Sequence, residues 1–342
     1  MPAMIATKSR TGYAAALFLL VGLAAAGCDH VTDAEGPNLT DRFGDFFVVD
    51  SLMASQEEVD FAAGEFVTFT AQFNKQVAWV LEITGQESGA VKRIEGFSNE
   101  LSAENARWNG GTTDLPLFKT EVADAVLLID DENADTLRTT VEVVTPRAYD
   151  VTVIADFEQA SPSIMIGNFE FEFDLTATGR SAEVPPAQGD FFYLLRSTGG
   201  PVVADPFFIG LISINASITG ETYFPVPTTV PEDLFFNAFL YSFGSPNTIA
   251  VVQLAVDTNG SGAYEDGQDA TFSILDQPIE GEGWQAFSAP LSATAITQAQ
   301  TEEIVAIRVL LISDDNGQPT PPLPVDFGID YLNFTTGGPL QL

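Results

Sequence analysis

One cysteine, Cys28, and one histidine, His30, occur in 342 residues. A lone cysteine excludes an intramolecular disulfide. A lone histidine two residues further along leaves no imidazole for a Ser-His-Asp or Cys-His arrangement elsewhere in the chain. No HExxH helix, CxxC pair or glycine-rich phosphate loop occurs. Lysine is scarce, confined to Lys8, Lys75, Lys92 and Lys119, and 13 basic residues face 48 acidic ones for a formal charge of −35. Nucleic acid is therefore excluded as a partner, because binding it requires a basic surface that displaces phosphate counterions. An anionic membrane surface or acidic polysaccharide is repelled for the same reason unless a metal ion bridges. The longest apolar run, from Ala14 to Cys28, holds about fourteen strongly apolar residues and is short for a transmembrane helix.

Against those absences stands ample core material. The chain is 45% hydrophobic and carries 27 phenylalanines, which argues against disorder despite the charge. Two sources of the acidity are open. One is a halophilic or marine host, where an acidic, lysine-poor surface stays hydrated at high salt. The other is a set of calcium sites.

Lys8 and Arg10 precede the apolar run, and the small residues Ala25, Ala26 and Gly27 lead into Cys28. This pattern resembles a bacterial lipoprotein signal, with Ala25 where leucine is usual. The resemblance implies a signal peptide over 1–27, lipid attachment at Cys28, and a membrane-anchored place in the cell envelope, at the outer membrane or cell surface rather than the inner membrane. The alternative is an ordinary secretory signal with an incidental cysteine. Removing Lys8 and Arg10 leaves 11 basic against 48 acidic residues, a charge of −37. Residues 28–38, with Gly36-Pro37, read as a tether.

Beyond it the pattern is period two. Phe66–Phe73, Ala78–Thr84, Ala125–Ile129 and Leu137–Val144 alternate large apolar with small or polar residues, with turn signals such as Gly64-Glu65 and Asn109-Gly110-Gly111 between. Short strands at this spacing predict an antiparallel sandwich over 39–149. Gly64 to Phe69, Trp79 and Trp108-Asn109-Gly110 give that segment a resemblance to the immunoglobulin-like domains of bacterial surface proteins. Pro146 to Asp150 marks a boundary. Residues 150–342 carry eight or more further strands, among them Phe169–Leu175, Phe207–Ser213, Leu234–Tyr241, Ile249–Val256, Ile304–Ile312 and Val325–Phe334, which predict a two-sheet jelly roll. The expected fold class is all-β, an immunoglobulin-like sandwich followed by a larger jelly roll. The opening Asp156-Phe157-Glu158, the Gly283-Trp284 strand into Ala289-Pro290-Leu291, and the closing Phe327 to Leu332 resemble the galactose-binding-like jelly rolls that serve as carbohydrate-binding modules.

Two places are candidates for calcium. Asp257, Asn259 and Ser261, followed by Gly262 and with Asp266 or Asp269 beyond, repeat the first half of an EF-hand loop, although Gln268 replaces the closing glutamate and no helices flank it. The same residues also suit a hairpin tip. The second place comes from the resemblance, which implies a structural calcium where first and last strands meet, at Glu158 and Asp330 with Asp156 adjacent. Sugar binding needs an aromatic platform beside hydrogen-bonding groups. Tyr264, Tyr241, Trp284 and Asn237 are the leading candidates, with Asn316 and Gln318 as further polar partners; Tyr264 stands out because it lies in a polar loop. The expected function is a non-catalytic envelope lipoprotein that binds carbohydrate through 150–342. A structural or adhesive protein contacting other envelope proteins is the alternative, and a glycoside hydrolase or lyase a third.

Overall fold

A computed structural model describes residues 44–131, 134–168, 175–197, 207–313 and 324–342. Cys28, the 1–27 segment, the tether, most of the expected strand Phe169–Leu175, Asn316 and Gln318 lie outside the described residues.

The first sheet is built on one long strand. Phe66–Phe73 and Ala78–Thr84, expected as two strands, are a single 19-residue strand β3 (Val67–Gly85). Its odd-numbered residues point inward throughout; the polar stretch at Asn74 to Gln76 is absorbed where the register against its neighbour shifts, between Gln72 and Val77. Around it lie β1 (Val48–Ala54), β2 (Glu58–Asp60), β4 (Val91–Leu101), β5 (Arg107–Trp108), β6 (Glu121–Ile129) and β7 (Leu137–Thr145). The order is β1-β3-β6-β7-β2, with β4 and β5 also pairing with β3. The sheet encloses Phe69, Phe73, Trp79, Leu81 and Trp108, all fully buried. Trp108 sits edge-on between Phe61 and Phe118, at 4.7 and 4.8 Å, and its indole N–H donates to the Gly111 carbonyl. The buried ring is thus satisfied at its polar edge.

The second part is a sandwich of two antiparallel sheets. Its strands are β8 (Thr152–Ala155), β9 (Ile164–Asn168), β10 (Ala177–Ser181), β11 (Phe192–Ser197), β12 (Phe207–Asn215), β13 (Leu234–Ser242), β14 (Thr248–Val256), β15 (Ala270–Pro278), β16 (Gly283–Pro290), β17 (Ile304–Ser313) and β18 (Val325–Thr336). One sheet runs β15-β14-β17-β12-β9; the other runs β10-β11-β18-β13-β16, with β8 also on β18. Val252, Leu254, Val309 and Leu311 from the first meet Leu195, Phe236, Phe327 and Phe334 from the second in one core. Burial of each such side chain stabilises by about 1.5–3 kcal/mol. The chain is therefore all-β, with its larger part a jelly-roll sandwich.

Thr145 ends the first sheet and Thr152 opens the sandwich, and Phe47–Leu342 together form one compact unit. The central strand β18 is buried on both faces. One reason is visible at the seam: Phe239 and Tyr331, on the outer side of the six-stranded sheet, pack against Leu117 of the first part and Ala187. The five-stranded sheet carries a different kind of outer face.

Candidate functional site

Strand alternation sorts β17 into two sets. Ile307, Val309 and Leu311 face the core, which places Arg308 on the outer face of the five-stranded sheet. Register aligns Arg308 with Gln253 and Ser213 across three strands, and the Arg308 guanidinium donates to Gln253 Oε1 at 3.1 Å. The loop 257–269, joining β14 to β15, folds onto this face.

Two carboxylates hold that loop. Asp257 is buried; its Oδ1 accepts from the N–H groups of Asn259, Gly260 and Ser261, and its Oδ2 from Gly262 N–H at 2.7 Å and the Tyr223 hydroxyl at 3.0 Å. Desolvation pushes its carboxyl up, but the Gly262 and Gly260 N–H groups with the Tyr223 hydroxyl outweigh this and hold it below its ordinary value. Asp269 accepts from Thr258 N–H and Glu265 N–H. The turn requires left-handed backbone at Gly260 and Gly262, with φ of 77° and 76°.

So held, the loop lays Tyr264 on the sheet beside Tyr223, over Ala255, Val305 and Ala306. Arg308 lies 4.9 Å from the ring centroid, within cation–π range. The Tyr264 hydroxyl donates to Asp266 Oδ1 at 2.8 Å. Beside the ring opens a cleft of 520 Å³, lined by Met165, Asn215, Glu221, Thr222, Gly262 and Tyr264 among others. Its size falls in the range of about 300–1,000 Å³ of small-molecule sites. An aromatic ring, a hydroxyl and one carboxylate around it suit a polyhydroxylated ring with one apolar face; the Asn215 amide already donates to the Ser163 carbonyl.

The calcium expectation for the loop meets a different arrangement. Asn259 Oδ1 accepts from Ser261 N–H and its Nδ2 donates to Glu265, Ser261 Oγ donates to the Ala263 carbonyl, and Asp266 accepts from Tyr264. Asp257, Asn259, Ser261 and Asp266 thus each meet donors or acceptors of the loop, and Asp257 meets the Tyr223 hydroxyl as well. The loop has the form of a hairpin tip, with these side chains hydrogen-bonded within it and to Tyr223.

The other sugar-binding candidates do not join Tyr264. Tyr241 and Trp284 are cross-strand partners on the outer side of the opposite, six-stranded sheet, with ring centroids 5.1 Å apart. The Trp284 N–H donates to the Pro185 carbonyl at 2.7 Å. Asn237 is 1% exposed. Its Nδ2 donates to Asn333 Oδ1 and Thr335 Oγ1, while its Oδ1 accepts from Ser288 Oγ and Leu340 N–H. Its amide thus knits β13, β16, β18 and the C-terminal segment together and presents nothing to a ligand.

Glu158 and Asp330 do come together, around the segment 182–191. Asp330 is 0% exposed. It accepts from Gln188 N–H at 2.9 Å and Tyr331 N–H at 2.8 Å. Glu158 Oε1 accepts from the N–H groups of Asp190 and Phe191. Desolvation pushes the Asp330 carboxyl well above the usual carboxylate range; the Gln188 and Tyr331 N–H groups oppose this, and the Glu158 charge adds to it. The Gln188 side-chain oxygen is buried with no hydrogen-bond partner. Phe157 and Tyr331, beside the two acids, hold left-handed backbone at φ 60° and 47°. Among the described residues no group of three or more His, Cys, Asp or Glu side chains converges. A hard cation here would use the two carboxylates, and draw the rest of its about six to eight oxygens from carbonyls and water. The carboxylate oxygens fit Ca²⁺ in kind, while the Arg180 guanidinium already donates to the Phe157 and Glu158 carbonyls beside them.

Gln188 and Arg308 were not singled out from sequence. Arg308 had a readable signal, a lone charge inside the apolar run Ile304–Ile312. Gln188, in the loop Pro185-Pro186-Ala187-Gln188-Gly189, had none.

No protein-family model matches the chain, and no curated protein matches it. Among solved structures, one of carbohydrate-binding modules from the β-sandwich superfamily is similar over 85% of this chain and 98% of its own, at 10% identity and a TM-score of 0.36. A family 11 carbohydrate-binding module from Clostridium thermocellum, in complex with a β-1,3-1,4-mixed-linked tetrasaccharide, matches over 56% of this chain and 98% of its own, at 15% identity and a TM-score of 0.34. A family 30 carbohydrate-binding module matches over 54% and 98%, at 8% identity and a TM-score of 0.35. Superpositions this loose assign neither a fold nor a ligand to the chain.

Proposed function

We propose that this chain is an exported, non-catalytic lipoprotein, anchored through Cys28, whose C-terminal jelly roll binds a neutral glycan in the Tyr264 cleft. The immunoglobulin-like segment 39–149 holds that sandwich away from the membrane. The observation that carries the reading is the cleft itself. A polar loop fastened by Asp257 and Asp269 places one aromatic ring on an outer sheet face, beside Asn215, Thr222 and Glu221. A pyranose stacks its C–H face on Tyr264 and turns its hydroxyls to those groups. Glu221 is the sole carboxylate among the described residues lining the cleft, whereas glycoside hydrolysis uses two across the scissile bond. That supports holding a glycan rather than cutting it. A Ca²⁺ ion at Glu158 and Asp330 has a structural part in this reading, away from the glycan.

Affinity electrophoresis of the full chain through gels containing neutral polysaccharides tests the proposal. Retardation by at least one, with no release of reducing ends, is expected. Free migration through every gel rejects it; reducing-end release points to a hydrolase or lyase instead. A protein-contacting role has one observation of its own, the 67%-exposed Phe97 on the outer face of the first sheet near the exposed Leu128. Free migration together with binding to envelope proteins favours that role.

A further inference from the structure

Four arginines among the described residues are half-buried: Arg147, Arg180, Arg196 and Arg308. Three of them commit their N–H groups to protein oxygens. Arg180 donates to the Phe157 and Glu158 carbonyls, Arg196 to Glu183 and Asp326, and Arg308 to Gln253. Arg147 donates to no described oxygen, and no described carboxylate forms an ion pair with it. Its guanidinium carbon lies instead over the Tyr149 ring, 4.9 Å from the centroid. A guanidinium stacked on a ring keeps its edge, a planar fork of N–H donors, open to a ligand.

Arg147 and Tyr149 lie between β7 and β8, where the chain passes from the first sheet to the sandwich. Both line a cleft of 380 Å³, with Lys119 and Glu87 on the side of the first part and Asp190 and Tyr331 on the side of the sandwich. Lys119 Nζ lies 3.7 Å from both Glu87 and Asp190. Two basic and two acidic side chains thus leave the lining neutral, within a chain of formal charge −35. Desolvation pushes the Tyr149 hydroxyl up, against the Arg147 charge, so it stays a neutral donor at physiological pH.

We propose that this cleft binds the carboxylate of a small organic acid, about the size of one sugar acid, with the Arg147 fork as its bidentate partner and the Tyr149 hydroxyl as a further donor. The site shares no lining residue with the Tyr264 cleft. An arginine fork suits a carboxylate or a phosphate. The net charge favours the carboxylate, because a dianion is repelled about twice as strongly as a monoanion and a polyanion more strongly still. Screening over about 8 Å at physiological salt leaves Arg147 to act on an ion in contact with it.

Calorimetric titration of the full chain carrying Tyr264→Ala, which removes the aromatic ring of the other cleft, tests this with sodium galacturonate and with galactose, its uncharged counterpart. Galacturonate is expected to bind and galactose not. Adding Arg147→Ala should weaken galacturonate binding about tenfold or more, and Arg147→Lys, which keeps the charge but loses the fork, should also weaken it. Arg147 holds no protein oxygen, so both variants should melt as their parent does; where Arg147→Ala melts lower, Arg147→Lys decides. Absence of galacturonate heat, equal binding of galactose, or undiminished binding by the deciding variant overturns the proposal.

Discussion

Asp257→Asn is the most informative single change, because it replaces one oxygen of the side chain that fastens the loop carrying Tyr264. The aspartate accepts five hydrogen bonds: three at Oδ1, from Asn259, Gly260 and Ser261, and two at Oδ2, from Gly262 and Tyr223. Asparagine keeps a carbonyl for the first three but sets an NH₂ against Gly262 N–H, which stands at 2.7 Å. The Tyr223 hydroxyl can turn and accept; the Gly262 amide cannot. One donor is left unpaired, at about 1–3 kcal/mol, and the remaining bonds lose their charge assistance, for a total of roughly 2–4 kcal/mol. At about 2–4 °C per kcal/mol for a domain of this size, the melting temperature falls by roughly 4–16 °C. The pH dependence has a definite sign. The folded carboxyl lies below its ordinary 3.8, so its contribution is fully present above that value and is lost as pH falls through the lower, folded one. Wild type and variant should therefore differ most at neutral pH and converge in acid. Melting by circular dichroism across pH checks both parts. A variant that melts within about 1 °C of wild type at neutral pH refutes the assignment of Asp257 as the loop's anchor.

Two further outcomes are expected. Gly189→Ala puts a methyl 2.3 Å from Glu158 Oε1 at a residue with φ +64°; left-handed strain of about 1–2 kcal/mol adds to displacement of the carboxylate, so the melting temperature should drop and the calcium response shrink, and an unchanged melting curve contradicts the close approach. With a formal charge of −35, self-repulsion should ease as NaCl rises from low to molar concentration, raising the melting temperature. A flat or falling curve contradicts a surface shaped by acidic repulsion.

The strands most legible in the sequence are those with one face in a core. β6 and β7 alternate cleanly, and Ala125–Ile129 and Leu137–Val144 fall inside them. β4 escaped because it pairs only with β3 and exposes Arg93, Glu95 and Phe97, so no apolar period marks it. Tyr264 was readable as an aromatic in a polar loop, and so was the loop's stock of oxygens. What those oxygens bind was not, since a carboxylate saturated by its own backbone and one awaiting a cation look alike in sequence. Asn237 shows the same gap: register places it on the outer face of its sheet, and only Asn333, Ser288 and the C-terminal segment around Leu340 convert that position to interior. Gln188 depends wholly on tertiary placement.

The central claim is that the Tyr264 cleft binds a neutral glycan, and titration calorimetry of the full chain and Tyr264→Ala with a retarding polysaccharide tests it most directly. The ring faces a cleft and is half-buried rather than core, so the variant should keep its fold and lose about tenfold or more in affinity, about 1.4 kcal/mol. A Tyr264→Ala protein that binds the same glycan as tightly as wild type contradicts the account.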